Sequence, residues 1–162
     1  MLRDEDERQT LDGAQADEET TAVETNQLAP GSQVGGYVIE GLLGGGGMGV
    51  VYAATHPVIG KRAAIKVLKP ELSHDPTAVE RFVNEARSVN QIRHPNIVDI
   101  FDFGVLPDGR HFFLMDLLEG ESLRARLRRT GAVHISEAAS IIDEIASALL
   151  AAHRNGIVHR DL

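Results

Sequence analysis

The 162-residue chain contains no cysteine, which excludes disulfides and thiolate metal sites and fits a reducing compartment. It also has no uninterrupted apolar run near the roughly 18–20 residues of a membrane-spanning helix, although 43% of its residues are hydrophobic. No secretory leader pattern is present, because Met1-Leu2-Arg3-Asp4-Glu5-Asp6-Glu7 turns acidic at once. A basic surplus is missing too. The net charge is −8, but nine of the 24 acidic and two of the 16 basic residues fall within residues 1–27, leaving the remainder nearly neutral. That remainder lacks the positive footprint of a nucleic-acid binder. The histidines at 56, 74, 94, 111, 134 and 153 show no metal-ligand spacing, and no internal repeat is visible.

What is present divides into a tail and one domain. Residues 1–31 are poor in large apolar side chains and rich in Asp, Glu, Thr, Ala and Gln, a composition that predicts disorder. They read as a solubilising leader, or as a regulatory segment in which Thr10, Thr20, Thr21 and Thr25 accept phosphate. From Ser32 onward there is length for one domain with a sizeable core. Tyr37 to Leu43 and Val50 to Thr55 are apolar runs around a glycine-rich turn, which predicts an antiparallel hairpin. A third strand is expected from Arg62 to Leu68. Asp75-Pro76 supplies a cap and a first-turn proline for a helix whose Val79, Phe82, Val83, Ala86, Val89 and Ile92 share one face. His94-Pro95-Asn96 is expected to end it. Two more strands, Ile97 to Phe103 and His111 to Asp116, flank the turn Pro107-Asp108-Gly109.

A short basic helix is expected over Glu121 to Arg129. A longer one, capped by Ser136, runs to Asn155 and stops at Gly156. The apolar residues of this long helix, Ile135 to Leu150, spread over an arc of about 200°, whereas a surface helix needs only about 100°. It is built to be covered from more than one side.

Three features carry chemistry. Gly44-x-Gly46-x-x-Gly49 lets the backbone take unusual dihedrals and approach a phosphate without Cβ collision. The strand-like Val50-Val51-Tyr52 that follows argues against a dinucleotide fold, which needs a helix there. A Walker loop is excluded because no Gly-Lys-Ser/Thr follows. Lys66, seventeen residues after Gly49, sits in an apolar strand and needs a counter-charge if it points inward. Glu85 lies beside the apolar face of the Asp75-capped helix and can reach the sheet; Arg81, one turn earlier, is its alternative partner. Finally, His159-Arg160-Asp161 follows the short strand-like Gly156-Ile157-Val158.

The ordered set of Gly44 to Tyr52, Ala64-Ile65-Lys66, Glu85, His94 to Val98, Phe113 to Asp116 and His159-Arg160-Asp161 resembles bacterial-type (Hanks-type) serine/threonine protein kinases over residues 35–162. The resemblance implies an α+β fold with a five-stranded antiparallel N-lobe plus one helix over 35–118. The start of a helical C-lobe would occupy 119–162. It implies that Gly44, Gly46 and Gly49 cover the ATP phosphates and that Leu43, Val51 and Ala64 wall the adenine. Lys66 would hold the α- and β-phosphates while paired with Glu85. Met115 resembles the gatekeeper, and Asp116 and Leu118 supply the hinge backbone that bonds adenine. Asp161 would be the catalytic base, its loop supported by His159 and Arg160.

ATP and a protein Ser/Thr substrate are the implied partners, with a cytoplasmic location. A membrane anchor in a parent protein would lie beyond this sequence. Mg²⁺ is implied for the family, but the lysine, asparagine and Asp-Phe-Gly that should follow the His-Arg-Asp motif are not in this chain. The chain therefore reads as a kinase domain cut just after that motif and inactive by itself. The rival reading is a pseudokinase-like nucleotide-binding or interaction module that docks through the 136–155 helix.

Overall fold

The computed structural model describes residues 27–159. Its framework is one antiparallel sheet of six strands in the order β1-β2-β3-β4-β6-β5. These are β1 (Gln33–Val34), β2 (Tyr37–Gly45), β3 (Gly49–Thr55), β4 (Arg62–Leu68), β5 (Ile100–Val105) and β6 (His111–Met115). The expected five strands are all present; the sixth is the two-residue β1, which pairs with Val38 and Tyr37 at the sheet edge. Register slips between Ile39 and Gly41 and between Leu42 and Gly44 mark bulges in β2, the device that bends a strand and increases its twist.

Alternation along the strands sorts side chains to two cores. Ala63, Ile65 and Val67 of β4 join Ile39, Tyr52, Phe112 and Leu114 in one cluster. On the other face Leu68 and Phe113 meet Phe82 and Ala86 of helix α1 (Pro76–Asn90), with Ile100 completing the cluster. Helix α1 starts where its composition says: Asp75 accepts a hydrogen bond from Thr77 N at 2.9 Å and Pro76 occupies the first turn.

Several boundaries differ from expectation for identifiable reasons. Helix α1 stops at Asn90, before His94-Pro95-Asn96. Within that tripeptide His94 accepts from Ile97 N through its carbonyl and from Asn96 N through Nδ1, so this stretch forms a local turn and β5 begins only at Ile100. Helix α2 (Leu123–Thr130) is capped by Ser122, which accepts from Ala125 N at 3.2 Å. Helix α3 (Ile135–Arg154) is capped by His134, not Ser136; Ser136 lies in the first turn and donates its N–H to His134 Nδ1. Gly156, at φ 72°, ends α3 in the left-handed conformation expected of a glycine after a helix.

Of the tail, residues 1–26 lie outside the described residues. Residues 27–31, assigned to the tail by composition, are tied to the sheet: Leu28 N donates to the Tyr52 hydroxyl at 3.2 Å, and Gly31 N donates to Ile39 O at 2.8 Å. No helix among the described residues is long and apolar enough to cross a membrane.

Candidate active site

The site is assembled on the α1-facing side of β3, β4 and β6. Opposite residues in the register are Gly44 with Val51, Val51 with Lys66, Ala64 with Met115, and Lys66 with Phe113. Cross-strand partners share a face, so Val51, Ala64, Lys66, Phe113 and Met115 form one continuous surface. Ala64 is already buried, while Leu43 at the hairpin is half exposed and Leu118 is exposed.

The glycine hairpin owes its composition to space more than to unusual dihedrals. None of Gly44 to Gly47, nor Gly49, has a left-handed φ. A Cβ placed on Gly44, Gly46 or Gly47 would meet nothing within 4 Å, so the hairpin tip stands over open space. Gly49 is the contrary case. A Cβ there would lie 2.8 Å from the Val67 carbonyl and 3.4 Å from two carbons of the Lys66 stem. Its bare backbone lets the lysine run directly beside β3. The hairpin closes through Gly46 N donating to Gly49 O at 2.9 Å, and Lys69 N donates to Met48 O at 3.1 Å.

Lys66 Nζ donates to Glu85 Oε1 at 2.5 Å. The sheet-directed pair thus forms, in preference to a surface pair of Glu85 with Arg81. The lysine side chain is 20% exposed and the glutamate 41%, so the pair opens to water mainly on the glutamate side. At the other end of β4, Arg62 bridges Glu40 of β2 and Glu119, at 3.5 and 3.3 Å. Glu40 also accepts from the Thr55 hydroxyl at 2.5 Å; that bond, aided by Arg62, holds its carboxyl below the usual range. The segment from 116 to 121 is therefore fastened at Glu119, and at Asp116, whose N–H donates to Asp99 O at 3.1 Å.

Below this segment α3 is tied to the His94-Pro95-Asn96 turn by polar contacts. His94 Nε2 and Ser147 Oγ are 3.0 Å apart, and Asn96 Nδ2 donates to Glu144 Oε2 at 3.0 Å. Because His94 Nδ1 already accepts from Asn96 N, Nε2 carries the proton toward Ser147. A groove of about 470 Å³ lies next to this turn, between Asn90, Arg93, Asp99 and Phe101; none of the predicted site residues lines it.

A protein-kinase domain model matches residues 37–162. The chain belongs to the protein kinase family. The serine/threonine-protein kinase PknH of Mycobacterium bovis is 44% identical over 132 residues, 82% of this chain and 22% of that protein. PrkC of Bacillus subtilis is 39% identical over 79% of this chain and 20% of its own length. The crystal structure of the Mycobacterium tuberculosis PknI kinase domain superposes with a TM-score of 0.68 at 32% identity, covering 84% of this chain and 55% of that one. The chain therefore spans about a fifth of these two curated relatives and about half of the solved kinase domain.

Of the predicted site residues, the structure brings Gly49, Val51, Ala64, Lys66, Glu85 and Met115 around one face, with Leu43, Gly44 and Gly46 at the hairpin and Asp116 and Leu118 after β6. Arg160 and Asp161 lie outside the described residues. One apparent motif is placed elsewhere. Asp102-Phe103-Gly104 spells the metal-binding tripeptide of kinases but sits within β5 at the sheet edge. There Asp102 Oδ1 accepts from Phe103 N at 2.8 Å, and Gly104 is needed for packing, since a Cβ would lie 2.6 Å from the Phe112 ring. Sequence reading also missed the two aromatic rings beside Lys66, because strand register, which brings Phe113 opposite it, is not written in local pattern.

Proposed function

We propose that this chain carries the ATP-holding part of a serine/threonine protein kinase, an enzyme that moves the γ-phosphoryl of ATP to protein Ser or Thr hydroxyls. The observation that carries this reading is the 2.5 Å Lys66–Glu85 pair, set in an apolar face beside a glycine hairpin with open space around its tip. Gly44 and Gly46 let the hairpin backbone lie against phosphates, and Gly49 makes room for the lysine stem. The Lys66 ammonium balances charge on the α- and β-phosphates, and Glu85 keeps it from swinging into solvent. Leu43, Val51 and Ala64 wall the adenine, Met115 sits at the gatekeeper position, and the backbone of Asp116 and Leu118 bonds the adenine edge. Asp161 accepts the proton of the substrate hydroxyl, with His159 and Arg160 supporting its loop. Use of ATP fits a cytoplasmic site.

Mg²⁺, when bound in this family, neutralises charge on the transferring phosphoryl group. The residues in hand do not fit it: no asparagine or Asp-Phe-Gly follows Asp161 within the 162 residues, and Asp102 bonds its own strand's backbone. We infer that a polypeptide of residues 1–162 binds nucleotide but does not transfer phosphate. Phosphotransfer from purified 1–162, above a Lys66→Met control, would overturn that inference.

A second reading, a non-catalytic nucleotide-binding or interaction module, draws on the exposure of Ile135, Ile142 and Leu150 along α3. Apolar surface of this kind marks contact with another surface, from a C-lobe or from a partner. Nucleotide titration with and without Mg²⁺ tests whether residues 1–162 hold nucleotide at all. Weak metal-independent binding favours a nucleotide-binding module, whereas no binding at all favours a poorly folded remnant.

A further inference from the structure

Lys66 is held by more than its carboxylate partner. Its Nζ lies 5.6 Å from the centroid of the Phe113 ring and 5.9 Å from that of Phe82. The two rings are themselves 4.9 Å apart and tilted by 37°. Both are fully enclosed, Phe82 at 0% and Phe113 at 1% exposure, in the cluster with Leu68, Ala86 and Ile100. Rings packed this way cannot rotate aside, so their negative faces present a fixed attraction to a cation within about 6 Å.

Glu85 offers a different kind of hold. Its side chain is 41% exposed, so water and salt compete for its charge. The rings are dry and do not feel that competition. They also span the site: Phe82 lies one turn before Glu85 on α1, and Phe113 lies opposite Lys66 on β6.

We propose that Phe82 and Phe113 are positioning residues for Lys66, holding its ammonium at the α1 side of the sheet even when the Glu85 carboxylate is lost. The consequence for nucleotide rests on the phosphate-holding reading above; the holding itself does not.

Two measurements on the full 162-residue chain test this. In NMR spectra, rings close to a methylene shift its protons upfield. The Lys66 Hε resonances are expected upfield of random-coil lysine, and to remain so in Glu85→Gln. Collapse to random-coil values in that variant would overturn the proposal, since Glu85 alone would then be holding the lysine. The second measurement replaces Phe113 with 3,4,5-trifluorophenylalanine, which nearly keeps the ring's shape but withdraws its negative face. ATP affinity is expected to fall about two- to fivefold, with adenosine affinity and thermal midpoint unchanged. Unchanged ATP affinity would mean that the ring only fills space and would overturn the proposal. Should the unmodified chain bind no ATP, the nucleotide reading fails, and the Glu85→Gln spectra still decide the positioning role.

Discussion

Leu114 in β6 and Ile142 in α3 have side chains of the same size, yet the first is 0% exposed and the second 65%. The difference belongs to the regions, not the residues. The sheet and α1 close on each other, and alternation sends apolar side chains into two cores that leave Ile65, Leu68, Phe82 and Leu114 without contact with water. Helix α3 carries an apolar arc twice as wide as a surface helix needs, and Ala152 is its one buried residue. Polar contacts at Ser147 and Glu144 fasten it to the rest. The sheet half is thus complete among the described residues, while the helical half presents a face whose cover is not among them. The Lys66–Glu85 pair belongs to the sheet half, and the partners that hold Lys66 come from β6 and α1, not from α3.

The strongest test of that contrast removes a side chain from each region. Phe82→Ala should destabilise by about 3–5 kcal/mol, measured by urea unfolding, whereas Ile142→Ala should cost well under 1 kcal/mol. Equal losses would break the comparison. Gly49→Ala comes next. The forced contact with the Val67 carbonyl predicts a loss of about 1–3 kcal/mol, while Gly46→Ala, with open space around it, should leave stability almost unchanged and weaken ATP binding. At the junction, Asn96→Ala removes the bond to Glu144 and should cost about 1 kcal/mol, seen as faster amide exchange in α3 with β4 unaffected.

The smallest effect is acid sensitivity at the far sheet edge. Asp108 is held below the usual carboxylate range by its hydrogen bond from Arg110. A carboxyl depressed on folding stabilises at pH values above its unfolded value, and the contribution is lost as pH falls through the folded one. Stability should therefore decline below about pH 4, and Asp108→Asn should flatten that decline without altering stability differences between the two regions.

Much of this was legible from the chain itself. Arg62 to Leu68 is the strand its pattern predicts, and Asp75-Pro76 begins α1. The wheel position of Glu85, beside the apolar stripe, left both Lys66 and Arg81 open as partners; the order of the two residues along the chain favoured Lys66, which is the partner found. Local pattern failed where tertiary partners decide. Gln33–Val34 is too short to signal a strand and exists through its pairing with Tyr37 and Val38. The hairpin glycines suggested unusual dihedrals, but open space and the approach of Lys66 explain them. The rings beside Lys66 come from residues 16 and 47 positions away in sequence, beyond the reach of periodicity.

The proposed contact for nucleotide phosphates is Lys66, in the sheet half. The direct measurement is a parallel titration of the full chain and of Lys66→Met with ATP and with adenosine, followed by backbone amide shifts. The prediction is that ATP perturbs residues 44–49 and 115–118 in the unmodified chain. Lys66→Met should lower ATP affinity at least about tenfold, the loss of a charge-assisted contact, and leave adenosine affinity as it was. Equal ATP affinity in both proteins, or shifts confined to other surfaces, would contradict it.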